Sequence, residues 1–199
     1  MEPTVDVSFP VMCQAPLPAD HGYVLYAALS RQLPELHREN GIAIHPLSGR
    51  QSGPREMQLN PSSRLILRLG GERISLAIPL AGRQLNLADR LIRVGVPSVQ
   101  ALQPVTALRS RLVTTKNGQD PDHFRGELRR QLELLRVSPE VLLTLGKRRT
   151  IRIKDKEIVG HEVLLEGLSA EESLTIQAQG LGGRRHMGCG VFVGMKGDQ

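Results

Sequence analysis

The 199-residue chain carries 26 Lys+Arg against 20 Asp+Glu, a formal net charge of +6, with an isoelectric point near 9.9. That balance favours a polyanionic partner, nucleic acid first, over an acidic-substrate pocket in a neutral protein. Aromatic residues make up 3 % with no tryptophan, which argues against reading bases through several stacked aromatic rings and leaves charge and shape to do the work. Cys13 and Cys189 lie far apart without a CxxC or a zinc-spaced histidine pair, so neither a disulfide framework, a metal nor a cofactor is expected, and a reducing cytoplasm is the default. The start, MEPTVDVSFPVMC, lacks the basic and apolar regions of a signal peptide. No stretch approaches the roughly 20 apolar residues of a membrane span, so no membrane association is expected.

In chain order, residues 4–12 (TVDVSFPVM) alternate apolar and polar and predict a strand. After a proline-rich turn, Asp20 is a good N-cap for a helix whose Val24, Leu25, Ala28, Leu29 and Leu33 share a face until Pro34. Gly41–Ile44 predicts a short strand. RLILRL at 64–69 predicts another, turning through Gly70-Gly71-Glu72 into a hairpin with RISLAIPL. NLADRLIRVG predicts a second helix with Asn86 near its cap and Gly95 beyond its end. VQALQPVTALRSRLVTT supplies one or two extended segments.

The polar run from Lys116 to Pro121 breaks the pattern, and a second pass begins. HFRGELRRQLELLRV predicts a basic helix with Phe124, Leu128, Leu132 and Leu135 inward. RRTIRIKD and EIVGHEVLLEG predict paired strands, SAEESLTIQAQG a helix capped by Ser169 with Glu172 three residues on, and VFVGM a closing strand. The element order implies an α+β chain of two tandem ferredoxin-like domains with antiparallel sheets, spanning 1–115 and 116–199; one larger α+β domain is the alternative.

Between the last helix and the last strand lies GLGGRRHMGCG, residues 180–190. Gly182, Gly183 and Gly188, with Gly180 and Gly190, let the backbone take positive φ and approach another chain closely. Arg184, Arg185 and His186 stand where side chains and exposed amides could meet phosphate. A plain glycine-rich turn is the competing reading.

GLGGRRHMGCGVF ahead of a final strand resembles the glycine-rich loop that marks the RAMP superfamily of CRISPR-associated proteins. SAEESLTIQAQGLGGRRHMGCGVFV resembles the Myxococcus-type (MYXAN) branch of its pre-crRNA-processing endoribonucleases, and DHGYVLYAALSRQLPELH is similar to that family's first helix and following leucine-histidine pair. The resemblance covers both ends of the chain; roughly residues 50–120 carry no matching motif. It implies metal-independent cleavage of CRISPR repeat RNA, in which a 2′-hydroxyl attacks the scissile phosphate and leaves a 2′,3′-cyclic phosphate and a 5′-hydroxyl. It also implies that the enzyme stays on the 3′ repeat hairpin as part of a Cascade-type complex.

Such chemistry needs a proton acceptor, a proton donor and cations for the developing charge, and histidine serves the first two near neutral pH. His37, in the leucine-histidine pair, is the first catalytic candidate by resemblance. His45, at a strand end eight residues on, is the second, and Tyr26 a third group near them. For RNA binding the candidates are Arg184, Arg185, His186 and the loop glycines. Arg129 and Arg130 on the basic helix, Lys147, Arg148 and Arg149 in GKRRT, and His21 before the first helix complete that set. Solvated surface charge is the competing reading for each arginine. A non-catalytic RAMP subunit that holds guide RNA is the alternative function, and an unrelated basic α+β scaffold the third.

Overall fold

The computed structural model describes residues 3–37, 41–116 and 118–195, with the side chain of His37 outside that description. The chain divides at Ala101/Leu102 into two units. The expected boundary at 115/116 would cut behind residues 107–113, which form a central strand of the second sheet, so the division falls earlier.

In the first unit the strands are β1 (Thr4–Met12), β2 (Leu17–Pro18), β3 (Ala43–Ile44), β4 (Arg50–Gly53), β5 (Glu56–Gln58), β6 (Arg64–Gly70), β7 (Gln84–Leu87), β8 (Arg90–Val94) and β9 (Ser98–Ala101). The helices are α1 (Gly22–Gln32) and the short α2 (Ile74–Ala77). The main sheet runs β3-β6-β1-β8-β7 with β9 also paired to β1, while β2-β5-β4 form a small separate sheet. Strand β1 pairs antiparallel with β6 in a register that sets Val7 opposite Leu67 and Phe9 opposite Leu65. These side chains pack with Leu25, Ala28 and Leu29 of α1 into one core. The same register sets Asp6 opposite Arg68, and the two meet in a fork of two hydrogen bonds, 2.7 and 2.9 Å, with Arg68 only 2 % exposed.

Three expectations fail here. Residues 71–80 do not complete a hairpin: they are helical throughout, as Gly71–Arg73, α2 and Ile78–Leu80. Gly71 N–H is held by Pro3 O, and Ala77 and Leu80 are buried three residues apart, a helical spacing. The run from Asn86, expected as a helix ending before Gly95, instead belongs to the β7–β8 hairpin of residues 84–94. Leu87, Leu91 and Val94 do fall at helical spacing, but Leu85/Leu87 and Ile92/Val94 are the buried pairs, at a spacing of two. Ala88 and Asp89 take positive φ in the turn between them, and Asn86 Oδ1 accepts from Asp89 N–H. Asp20 is not the cap of α1 either; that place belongs to His21, with no side-chain cap bond.

The second unit runs β10 (Ala107–Val113), α3 (Pro121–Leu134), β11 (Leu142–Ile153), β12 (Lys156–Glu166), α4 (Ala170–Gln179) and β13 (Val193–Gly194). Its sheet order β11-β12-β10-β13, all antiparallel, is that of a ferredoxin-like unit. The first unit's β1-α1-β3-β6-α2-β8/β9 path repeats the same order with the β7 arm and the small sheet added. Asp120 caps α3 by accepting from the N–H groups of Asp122 and His123, and Ser169 with Glu172 forms the expected capping box of α4. Among the described residues no helix is long and apolar enough to cross a membrane.

The glycine loop closes on the end of β10. Gly183 N–H donates to Thr114 O and Gly190 N–H to Leu112 O, at 2.9 and 2.7 Å. A Cβ at Gly182 would lie 2.5 Å from Thr114 O, and one at Gly190 would lie 2.0 Å from Leu181 O. Gly190 also has a φ of +64°, so both space and backbone angle exclude other residues there. Gly183 differs: a Cβ would meet nothing within 4 Å.

Gly190→Ala should therefore cost about 3 kcal/mol from left-handed strain and overlap, whereas Gly183→Ala should stay within about 0.5 kcal/mol of wild type. Urea unfolding compares them directly, and equal losses would contradict this packing. Burial alone would raise the Asp6 carboxyl, but hydrogen bonds and charge from Arg68 and His45 outweigh it and hold it well below the usual carboxylate range. The sign follows from the lowered value: the stabilisation is complete above the ordinary value of 3.8 and is lost as pH falls from there through the folded value. Asp6→Asn should cost about 3 kcal/mol at neutral pH by leaving buried Arg68 without its counter-charge, and should flatten the acid limb of the stability profile. A variant that unfolds in acid as wild type does would refute that role.

Candidate nucleic-acid interface and the histidine-bearing turn

Beyond β10, residues Thr114, Thr115 and Lys116 lead toward α3, and the glycine loop lies back over them. A cavity of about 740 Å³ opens between these segments, walled by Thr114–Lys116, by His123, Glu127, Arg130 and Gln131 of α3, and by Gly182, Gly183 and Arg184. Glu127 receives both arms of Arg130, at 3.0 and 2.8 Å, and Gln131 Nε2 at 2.7 Å. Those bonds, Arg130's first, bring its carboxyl down to about 2. Gln131 in turn accepts the N–H of Gly182 at 2.8 Å. One carboxylate thus orients the amide that ties the loop to the helix.

The loop's amides are not laid open to an anion as expected. Gly180, Gly182, Gly183, Met187, Gly188, Cys189 and Gly190 all donate to acceptors within the chain. Gly183 and Gly190 are taken by the end of β10, and the others by Ile176 O, by Gln131 Oε1 and by the loop's own carbonyls at Arg184 and Arg185. What the loop offers outward is side-chain charge, and its arginines divide. Arg184, at a left-handed φ of 64°, reaches Thr114 Oγ1 at 3.3 Å and stands in the cavity wall. Arg185 is half-buried, with Nη2 on Ala178 O at the end of α4, where a cation suits the helix C-terminus. His186 is half-buried beside it.

The other basic candidates divide in the same way. Arg129 donates to Val141 O at 2.8 Å and fastens the segment after α3. Arg130 remains exposed while paired to Glu127. The GKRRT run lies within β11 and not at its turn, because β11 begins at Leu142 and turns only at Lys154–Asp155. Register slips between Leu145 and Arg148, a bulge that re-aims the strand, and Lys147 and Arg148 are exposed there. Arg149 leans on Glu162 at 3.7 Å, and Arg109 pairs with the same carboxylate.

In the first unit, α1 runs into the single turn Pro34–His37, and Leu36 is buried in the core. Leu36 thus anchors the turn that His37 ends; the His37 side chain lies outside the described residues. Tyr26 is half-buried on α1, packed against the core. His45 follows β3 and is buried, its N–H on Ile66 O and its Nε2 3.6 Å from Asp6 Oδ1. His21, expected to face RNA, is 2 % exposed. Its Nε2 accepts from Leu47 N–H at 2.9 Å and its Nδ1 lies 3.1 Å from Pro18 O, a pattern that suits the neutral ring with its proton on Nδ1. The ring pins two loops and does not reach a ligand. His161 packs against Phe124 with centroids 4.9 Å apart, as a structural residue. Among the described residues no three His, Cys, Asp or Glu side chains gather as a metal site would require.

Sequence reasoning missed Lys116 and His123, which the fold brings beside Arg184. Lys116 sat in a polar break and His123 at a helix start, and nothing local ties either to a loop far along the chain.

The first unit carries a histidine-bearing turn and the second a basic cavity under a glycine loop. Known proteins share the fold of this chain. The fold matches a CRISPR-associated protein Cas6 at a TM-score of 0.68 and 11 % identity, covering 97 % of this chain and all of that one. It matches a Cas6-related protein from Pyrococcus furiosus at 0.67 and 15 %, covering 98 % and 100 %. It also matches Thermus thermophilus Cse3 bound to an RNA representing a pre-cleavage complex, at 0.55 and 14 %, covering 97 % and 98 %. In sequence, the CRISPR-associated endonuclease Cas6 of Myxococcus xanthus (strain DK1622) is 43 % identical over 189 residues, 95 % of this chain and 80 % of that protein. With the Cas6 family model, described as Cas6 Crispr, matching residues 5–197, the chain belongs to the Cas6 family.

Proposed function

We propose that this member of the Cas6 endonuclease family cuts CRISPR repeat RNA within the precursor transcript to release mature crRNA. The observation that carries the reading is the 43 % identity to a Cas6 endonuclease along nearly the whole chain. The basic cavity and exposed Lys147 and Arg148 support it as places for a phosphate backbone. Cleavage is metal-independent: the 2′-hydroxyl attacks the adjacent phosphorus, the bond to the 5′-oxygen breaks, and a 2′,3′-cyclic phosphate and a 5′-hydroxyl result.

His37 is the proton-transfer group in this scheme. Of the first unit's three histidines, His21 and His45 are buried, one holding two backbone groups and the other beside Asp6. His37 stands at the end of a turn whose anchor, Leu36, holds it firmly to the core. Tyr26 acts beside it by orienting the substrate. RNA binding falls to Arg184, Lys147, Arg148 and Arg130. After cleavage the protein keeps the 3′ repeat hairpin and joins a Cascade-type complex in the cytoplasm.

Single-turnover cleavage of the cognate repeat in EDTA tests this. Wild type should cut, and His37→Ala should bind RNA as tightly yet cut about 10²–10⁴-fold more slowly, the range for loss of a positioned proton-transfer group. His45→Ala should lower stability and leave the chemical step near wild type in the folded fraction. Tight binding by wild type without cleavage would favour a guide-RNA-holding subunit. Full activity in His37→Ala would remove that residue from the mechanism.

A further inference from the structure

Strand β8 is paired along its length on one side only. It pairs with β7 from Arg90 to Arg93, but with β1 only at Arg93 and Val94, opposite Met12 and Val11. Past Met12 the chain leaves the sheet, because Gln58 Nε2 of β5 donates to the carbonyls of Cys13 and Gln14, at 3.0 and 3.4 Å. A notch of about 580 Å³ opens there, between Met12–Ala15 on one side and the β7–β8 arm on the other.

An open strand edge runs along this notch. Gly95 N–H donates to Pro10 O and Val94 N–H to Arg83 O, so alternate residues of β8 turn their backbone groups toward β1 and toward β7. Counting back from Gly95, Arg93 and Leu91 face the β1 side. Arg93 meets Met12 there, whereas Leu91 meets no strand among the described residues and turns its N–H and C=O toward the notch. The main chain of an added strand completes an edge of this kind.

The side chains around it are apolar at the centre and cationic at the rim. Met12 and Leu91 are 62 % and 60 % exposed. The register sets them diagonally on one face, since Met12 lies opposite Arg93, two residues from Leu91. Arg90 and Arg93 are exposed without an ion-pair partner among the described residues, against one carboxylate in the lining, that of Asp89. Nucleic acid would use the cations and leave both aliphatic side chains in water. A protein segment uses the open edge, the apolar pair and the cations together, and methionine and arginine are residues that protein interfaces favour.

We propose that this notch is a docking site for an extended acidic segment of another protein. The segment adds as a strand beside Leu91, with an apolar side chain between Met12 and Leu91 and carboxylates on Arg90 and Arg93. The site uses none of the residues assigned above to RNA cleavage or binding, and it does not rest on that reading.

The probe is a library of short random peptides displayed on phage and selected against the full-length protein. Enriched peptides should carry Asp or Glu beside Val, Ile or Leu, and synthetic copies should shift the amide resonances of 12–15 and 89–93. N-methylation of alternate peptide amides should abolish binding, as strand addition requires. Leu91→Ser and, separately, Arg90→Gln with Arg93→Gln change exposed side chains only. Each should weaken the peptides about tenfold or more and leave repeat-RNA binding and cleavage as in wild type. No enrichment, enrichment of basic peptides, or shifts elsewhere would overturn the proposal. Weaker repeat-RNA binding by the double arginine variant would overturn it by making the patch an RNA surface. A wild-type dimer that Leu91→Ser splits would overturn it by making the patch a self-interface. If wild type fails to cut repeat RNA while the peptides still bind here, the endonuclease reading falls and the docking site stands.

Discussion

The approach of the glycine loop's backbone to the end of β10 is the constraint on which the second unit's site depends. Two hydrogen bonds, Gly190 to Leu112 within the end of β10 and Gly183 to Thr114 just past it, tie the loop to that strand. The approach demands glycine at 182 and 190, where a Cβ would overlap a carbonyl oxygen. Because the loop is clamped there, Arg184 stands over Thr114, and Lys116 and His123 come to the same concavity. Glu127 reinforces the clamp through Gln131 and Gly182, so one ionised group sets both the charge of the wall and the position of its backbone. Low-mobility positioning of cations is what a site needs to favour charge that develops at a fixed point.

In the first unit, burial sorts residues of similar chemistry. Asp6, Arg68 and His45 form a largely buried polar cluster because the β1–β6 register leaves two of them opposite each other and β3 delivers the third. His21 is consumed by two backbone contacts. Such histidines specify the fold; removing one leaves backbone groups unmatched in the interior. The proton transfer proposed for His37 needs a firm anchor, and the turn ending at that residue is anchored through Leu36.

Much of this architecture was legible in the sequence wherever one physical signal dominated. Strand β1 followed from the alternation of Val5, Val7, Phe9 and Val11, and α4 from its Ser169–Glu172 capping box. The reading failed where two periodicities coincide: in 84–94 the apolar residues satisfy helical and alternating patterns at once, and only burial decides between them. It failed again at 71–80, where four β-branched or long aliphatic residues suggested a strand but the buried pair Ala77/Leu80 fits one helical turn. The site was half legible. The glycines and Arg184 announced themselves by composition, yet which arginine faces outward depends on acceptors such as Ala178 O and Val141 O, whose positions no local pattern encodes. Lys116 and His123 join the site only through sheet order.

The chemistry at the centre of this account is attack by the RNA's own 2′-hydroxyl. The most direct measurement is single-turnover cleavage of two repeat RNAs in EDTA, one all-ribose and one with a single 2′-deoxy nucleotide just upstream of the scissile phosphate, with the product ends identified. The account predicts a 2′,3′-cyclic phosphate from the first and an intact second strand. Cleavage of the deoxy-substituted RNA, or a 5′-phosphate on the downstream fragment, would contradict it.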